Sequence, residues 1–271
     1  MYAGTTISRG SGKIVGVHQK IDRAARRHIK KYLPKTSEFP TIKQILHFEG
    51  NNGPDGIKRK GSTEDDPWYF IDPNNPDDKV LLTTVNNHII NLSVALKNKN
   101  HIRAAFESAW LSHVIVDGLT PAHHYPLSDK IEELWGKAHT ERDTIKDKNI
   151  IHGDGIRDTI SKNWEYWGVG GVFTTHGMFE MGVATAIAPL NFKESILDRK
   201  DIIFLKRNSF EEVFLKSLQK INELKMYDNF GKKGWTQGLA KQTKNILVPE
   251  MIKVVTLAWY DAVIKSEESK K

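Results

Sequence analysis

Two histidine–carboxylate pairs are the places in this 271-residue chain where residue type and spacing could do chemistry. His113 and Asp117 stand four apart in AWLSHVIVDGLTPAHHYP, residues 109–126, so on a helix both side chains leave the same face. Their neighbours Trp110, Leu111, Val114, Ile115 and Val116 are apolar nearly all round, which predicts a buried helix. A buried Asp is costly unless it is paired or bound to a metal. Pro121 stops the helix, and the turn after it brings His123 and His124 back toward the same end. Two imidazoles and a carboxylate converging on one point suit Zn²⁺, which takes N and O ligands at about 2.0–2.2 Å. The plainer alternative leaves Asp117 as a cap and His113 as a satisfied core histidine.

The second pair, His176 and Glu180, lies in TTHGMFEMG with the same four-residue spacing and apolar neighbours. Alone such a pair is mostly structural; beside the first it reads as the other half of a metal centre. Cysteine is absent, which excludes thiol catalysis, disulfides and thiolate metal sites. A metal must therefore rest on imidazoles and carboxylates, and eleven histidines supply the former.

The elements that must position these residues read as helices. Apolar residues at Ile14, Val17, Ile21, Ala25 and Ile29 predict an amphipathic first helix ended by Pro34. Its other face is basic: residues 1–31 carry eight Lys and Arg against Asp22 alone, a solvated face or a surface for phosphate-bearing partners. Residues 47–79, dense in Gly, Pro, Asn and Asp, predict a long loop anchored by Trp68, Tyr69 and Phe70. Further helices are expected over 84–97, 101–117, 172–187, 211–224 and 246–263, and strand signals are weak throughout. The fold class is all-α, a single compact multi-helix domain over 1–271 with long loops. Residues 1–12 read as a loose arm and 267–271 as a polar tail.

The spacing His113-x3-Asp117-x3-Pro121-x-His123 resembles the HxxxDxxxPxH signature of the zinc-dependent phospholipases C, relatives of the single-strand-specific nucleases. His176-Gly177-Met178-Phe179-Glu180 is similar to that family's later HxxFE motif. His18, opening the first helix, fits the family's early ligand, and Asp55 in GPDG fits a Pro-Asp loop step. The resemblance covers most of residues 14–187. It implies an all-α enzyme with two or three Zn²⁺ ions in one cleft, hydrolysing phosphate esters through a zinc-bridging hydroxide. One ion would take Asp55, His113 and Asp117; a second would share Asp117 and use His18; a third would take His123, His176 and Glu180. Asp55 and Asp117 would be the catalytic carboxylates.

The chain departs from the family at three points. Where the family has a His-Phe step before Asp-Pro, this chain has Tyr69-Phe70-Ile71-Asp72-Pro73, which removes an imidazole, with His47 as a reserve. The family's secreted members bind zinc through the amine and carbonyl of an N-terminal Trp, and no Trp precedes Trp68 here. Residues 127–170 lengthen the gap between His123 and His176 and read as an insertion near the cleft. Within it, His139 and Asp143 form a rival pair in charged surroundings. Trp164, Tyr166 and Trp167 read as an acyl- or base-binding wall or as packing. The expected substrate is a phosphodiester, phospholipid or nucleic acid, and the net charge of +7 fits either. Peripheral membrane contact is expected with the former. A nuclease and a degenerate zinc-binding protein without catalysis are the other readings. With no apolar run of 18 residues and no visible signal peptide, a cytoplasmic address is expected, with export left open.

Overall fold

The computed structural model describes residue 1 and residues 16–34, 37–58, 69–124, 127–137, 141, 150–193 and 196–268. Every regular element among the described residues is helical. In chain order the first are α1 (Val17–Ile29), α2 (Ile42–His47), α3 (Pro54–Lys58), α4 (Val80–Lys97) and α5 (His101–Gly118). They continue with α6 (Leu127–Trp135), α7 (Ile156–Trp167), α8 (Val172–Ile187), α9 (Arg199–Arg207) and α10 (Phe210–Asn222). The last are α11 (Met226–Lys233), α12 (Gln237–Gln242) and α13 (Val248–Glu268). No described helix is long and apolar enough to cross a membrane.

The all-α expectation holds, and the reason lies in two helices. On α13 the buried residues include Met251, Val254, Val255, Ala258, Trp259 and Ala262, too wide a spread for one stripe. A helix apolar on most sides must be packed on most sides, and α13 touches α1, α4, α5, α9 and α10. α5 is buried almost continuously from Ala104 to Gly118, packed by α1, α2, α4 and α13. Trp259 is fully buried and its indole Nε1–H donates to the Ser108 carbonyl at 2.9 Å, fixing the α13–α5 contact. α4 and α5 form a hairpin whose turn places Lys99 at φ 54°, and the Asn100 side chain caps α5 by accepting from Arg103 N–H. At the far end of α5 a side chain at Gly118 would come within 2.9 Å of Leu81 and 3.1 Å of Phe214. That close approach seats the end of α5, where Asp117 sits, against α4 and α10.

Against the expected bounds, α4 starts earlier, at Val80, α10 ends sooner, at Asn222, and α13 is shifted to Val248–Glu268; Ile14, expected in the first helix, lies outside the described residues. The long loop differs: it contains a 3-10 turn, Gly50–Asn52, and α3, which carries Asp55, while residues 59–68, including Trp68, lie outside the described residues. The loose arm differs too. Met1 is buried, whereas residues 2–15 lie outside the described residues.

The basic face of α1 is largely spent on backbone. Lys20 Nζ donates to the Ile187 and Ala188 carbonyls at 2.7 and 2.6 Å, Arg26 Nε to Pro40 at 2.6 Å, and Arg27 to Asn191 at 2.6 Å. The last carbonyls of a helix lack partners within it and attract cations. Lys20 therefore locks α1 to the C-terminal end of α8.

Candidate metal centre

Six elements converge at one end of α5. α5 supplies His113 and Asp117, α1 supplies His18, and α3 supplies Asp55. After α5, Thr120 turns the chain, its Oγ1 donating to the Val116 carbonyl at 2.7 Å, and a 3-10 turn, Pro121–His123, delivers His123. α8 supplies His176 and Glu180. The segment at 69–71 is tied to this turn twice: Ile71 N–H donates to the His123 carbonyl at 3.2 Å, and His123 Nδ1 donates to the Tyr69 carbonyl at 2.8 Å. The second bond puts the His123 proton on Nδ1 and leaves Nε2 as a lone pair facing the site.

The ligand atoms form two groups. In the first, His18 Nε2 lies 3.3 Å from Asp117 Oδ1, and His113 Nε2 lies 3.4 Å from Asp117 Oδ2 and 3.6 Å from Asp55 Oδ1. The His18 and His113 rings stack 3.8 Å apart and nearly parallel. In the second, Glu180 Oε1 lies 3.3 Å from His123 Nε2 and 3.0 Å from His176 Nε2. Within each triad, His18–His113–Asp117 and His123–His176–Glu180, the ligating atoms lie within 4.8 Å of one another, and either group could hold a metal ion. Two ligands bound at about 2.05 Å to one tetrahedral ion stand roughly 3.3–3.4 Å apart. That edge length recurs here, and it is long for a hydrogen bond: neither ring nitrogen of His113 closes one.

The residues fit a cation in a second way. The Met1 ammonium is buried between the groups, 2.5 Å from Asp117 Oδ1 and 3.0 Å from Glu180 Oε1, and the Met1 carbonyl lies 2.9 Å from His18 Nε2. A positive charge thus sits between the two carboxylates.

Electrostatics follow from this crowding. Burial alone would lift the Asp117 and Glu180 carboxyls, but the Met1 ammonium and the neighbouring imidazoles hold both well below the usual carboxylate range. Burial would lower the His113 imidazole, yet Asp117 and Asp55 outweigh it and raise it well above the ordinary value. For the Met1 amine, burial opposes and Asp117, Glu180 and Asp55 prevail, moving it from 8.0 up to about 10. Groups with raised folded-state pKa stabilise fully below their unfolded value and lose that contribution as pH climbs through the folded one. In chelator, the melting temperature should therefore fall as pH rises from 8 through 10. The amine's two-unit rise corresponds to roughly 3 kcal/mol, or about 5–10 °C. A bound metal replaces both protons, so zinc should bind more tightly at pH 8 than at 6.5 and flatten the alkaline loss. Melts in chelator and in zinc across this range check the sign; a chelated protein that gains stability above pH 8 would contradict it.

All seven residues expected as ligands, His18, Asp55, His113, Asp117, His123, His176 and Glu180, come together. Asp55 is a quarter exposed and Glu180 slightly so, which marks where the site opens, while His18, His113 and Asp117 are sealed. Tyr69 is also there, buried, its ring 6.0 Å from that of His113. Burial, then Asp117, Asp55 and Glu49, push its phenol far up, so it stays neutral. The reserve ligand His47 is exposed, edge-on to Phe48, and is not brought in. His139 and Asp143 lie outside the described residues. His124 turns away from the site, donating from Nε2 to the Gly118 carbonyl at 2.9 Å; burial lowers its pKa to about 4.

Three participants escaped sequence reasoning: Met1, Glu49 and Asp22. Glu49 is buried, Oε2 3.5 Å from His113 Nδ1, on the side of the ring away from Asp117. A carboxylate behind a ligating imidazole fixes the ring's orientation and tautomer. Asp22, fully buried, accepts from Ser112 Oγ at 2.5 Å, and burial with Glu49 nearby raises its carboxyl well above the ordinary value. Its signal was present, since His18-x3-Asp22 repeats the spacing of His113-x3-Asp117. Compared with known proteins, the chain matches no family model, no curated protein and no solved structure.

Proposed function

We propose that the chain is a zinc-dependent hydrolase of phosphate esters, a phosphodiesterase of the phospholipase C type. The observation that carries this is the double use of Asp117, whose two oxygens face two different imidazoles at the spacing of ligands around shared ions. A second group of ligands stands on the far side of the Met1 ammonium. Close divalent cations supply a lowered water pKa at neutral pH and neutralise developing phosphate charge. The chain's own part is to hold the ligands rigid: α5 is pinned by Trp259 and α8 by Lys20. Asp55, partly open to solvent, is placed to take a proton from an incoming nucleophile.

Tyr69 favours a second reading, a metal-binding protein without turnover, because a neutral phenol stands where an imidazole would complete the first site. The experiment is metal analysis after chelator-free purification, followed by hydrolysis of bis(p-nitrophenyl) phosphate. At least two zinc equivalents per chain and zinc-dependent turnover are expected. No bound metal defeats both readings, while metal without turnover selects the second. Parallel assays on phosphatidylcholine and single-stranded DNA separate a lipase from a nuclease.

A further inference from the structure

Two acids behind the metal centre are arranged at the expense of the fold. Glu49 and Asp22 are 5 and 0% exposed. Among the described residues no hydrogen bond reaches either oxygen of Glu49 or Oδ2 of Asp22. The two are also neighbours, since the Glu49 charge joins burial in pushing the Asp22 carboxyl well above its ordinary value. Buried acids that stabilise a fold are paired or hydrogen-bonded. Glu250 shows that arrangement in this same chain. It is equally buried, accepts from Ser217 Oγ at 2.8 Å and Lys220 Nζ at 2.5 Å, and pairs with Lys253 Nζ at 2.5 Å. Glu49 and Asp22 have no lysine or arginine partner of this kind, and two like acids placed together in the interior cost stability.

Their placement points to His113. Glu49 Oε2 lies 3.5 Å from His113 Nδ1, while Asp55, six residues on, puts Oδ1 3.6 Å from Nε2. One short segment thus grips both nitrogens of one ring. It is drawn tight: a side chain at Gly56 would come within 2.1 Å of the Asn51 carbonyl oxygen, and Asn52 Nδ2 donates to the His47 carbonyl at 3.0 Å. Asp22 reaches the same place from α1, where the hydroxyl of Ser112, the residue before His113, donates to its Oδ1 at 2.5 Å.

An ion on Nε2 puts the ring proton on Nδ1. Glu49 is the acid facing that nitrogen, so the ion gives it the donor that the fold alone does not. We infer that Glu49 and Asp22 are positioning residues kept for the ion and not for the fold. Glu49 holds His113 with its Nε2 lone pair toward Asp117 and Asp55, and Asp22, anchored on Ser112, adds a second negative charge behind the ring. This rests on the metal centre within the proposed function and is independent of turnover.

The signature is two effects of opposite sign. Glu49→Gln and Asp22→Asn keep shape and remove charge, and they are made separately, so either one carries the test if the other fails to fold. Competition with a chelator should show zinc affinity falling roughly 10–100-fold in Glu49→Gln and several-fold in Asp22→Asn. The metal-free melting temperature should equal or exceed that of wild type in both, because an uncompensated buried acid is gone. With Co²⁺ in place of zinc, the visible absorption of the Glu49→Gln protein should shift as His113 reorients. Unchanged zinc affinity with a lower metal-free melting temperature makes the acids structural and overturns the inference. A loss of both, which is general loosening, overturns it too, as does no change in either. A wild-type protein that takes up no metal removes the metal centre itself. Acid-dependent zinc binding without turnover of bis(p-nitrophenyl) phosphate leaves the inference standing and removes the hydrolase reading.

Discussion

In the proposed hydrolase, Asp117→Asn should abolish metal uptake at the site between His18 and His113 and lower phosphodiester turnover about 10³-fold or more, the scale seen when a member of a catalytic unit is lost. Asp117 is the carboxylate whose oxygens meet both imidazoles, and it also neutralises the buried Met1 ammonium. Removing one partner of a buried pair costs roughly 3–5 kcal/mol, because the other charge is left uncompensated. The metal-free variant should accordingly melt below metal-free wild type. The informative comparison is the response to chelator. Wild type should lose several degrees of melting temperature when stripped, as expected for a ligand that binds only the folded state, and Asp117→Asn should lose much less. Zinc content per folded chain is the direct measurement, with helicity by circular dichroism confirming that the chain is folded. A folded Asp117→Asn protein with the wild-type number of zinc equivalents would end the shared-carboxylate reading.

Tyr69→His should produce the opposite change. The neutral phenol is buried close to His113, Asp55 and Asp117, and its backbone carbonyl, which accepts from His123, is untouched by a change of side chain. A neutral imidazole adds a lone pair that a protonated phenol lacks. Zinc affinity at the first site should rise roughly 10–100-fold, the scale on which neighbouring groups tune metal sites, with turnover rising alongside. Tyr69→Phe is the control: it keeps the ring and removes the oxygen, and should match wild type. Competition with a chelator of known affinity measures all three proteins. Equal affinity for the His and Phe variants would show that position 69 does not face the ion.

Much of this site was legible because a helix converts spacing into direction. Four residues separate the members of each pair, and four residues is one turn, so His113 and Asp117, and His176 and Glu180, had to share a face. The all-helical architecture was legible in the apolar periodicity of α1, α5 and α13. Glu49 was not, because it lies in EGNNG, where local composition reads as open loop and only the tertiary fold buries it. Asp22 was masked by its setting, one acid among bases on a helix read as solvated. The basic face of α1 likewise reads as a surface until the carbonyls at the end of α8 are in place to receive Lys20.

The position of the hub helix has a consequence for how the protein is made. Every proposed ligand lies between His18 and Glu180, yet α13, on which α1, α4 and α5 pack, is built from residues 248–268. During synthesis the whole ligand set is therefore translated well before the helix that holds three of its supporting elements in place. At 5–20 residues per second, the nascent chain spends several seconds with its imidazoles and carboxylates present and their scaffold unfinished. Assembly of the seven residues thus becomes a late event in the life of the chain, and a stop codon near residue 245 would leave all seven side chains intact and still keep them from converging.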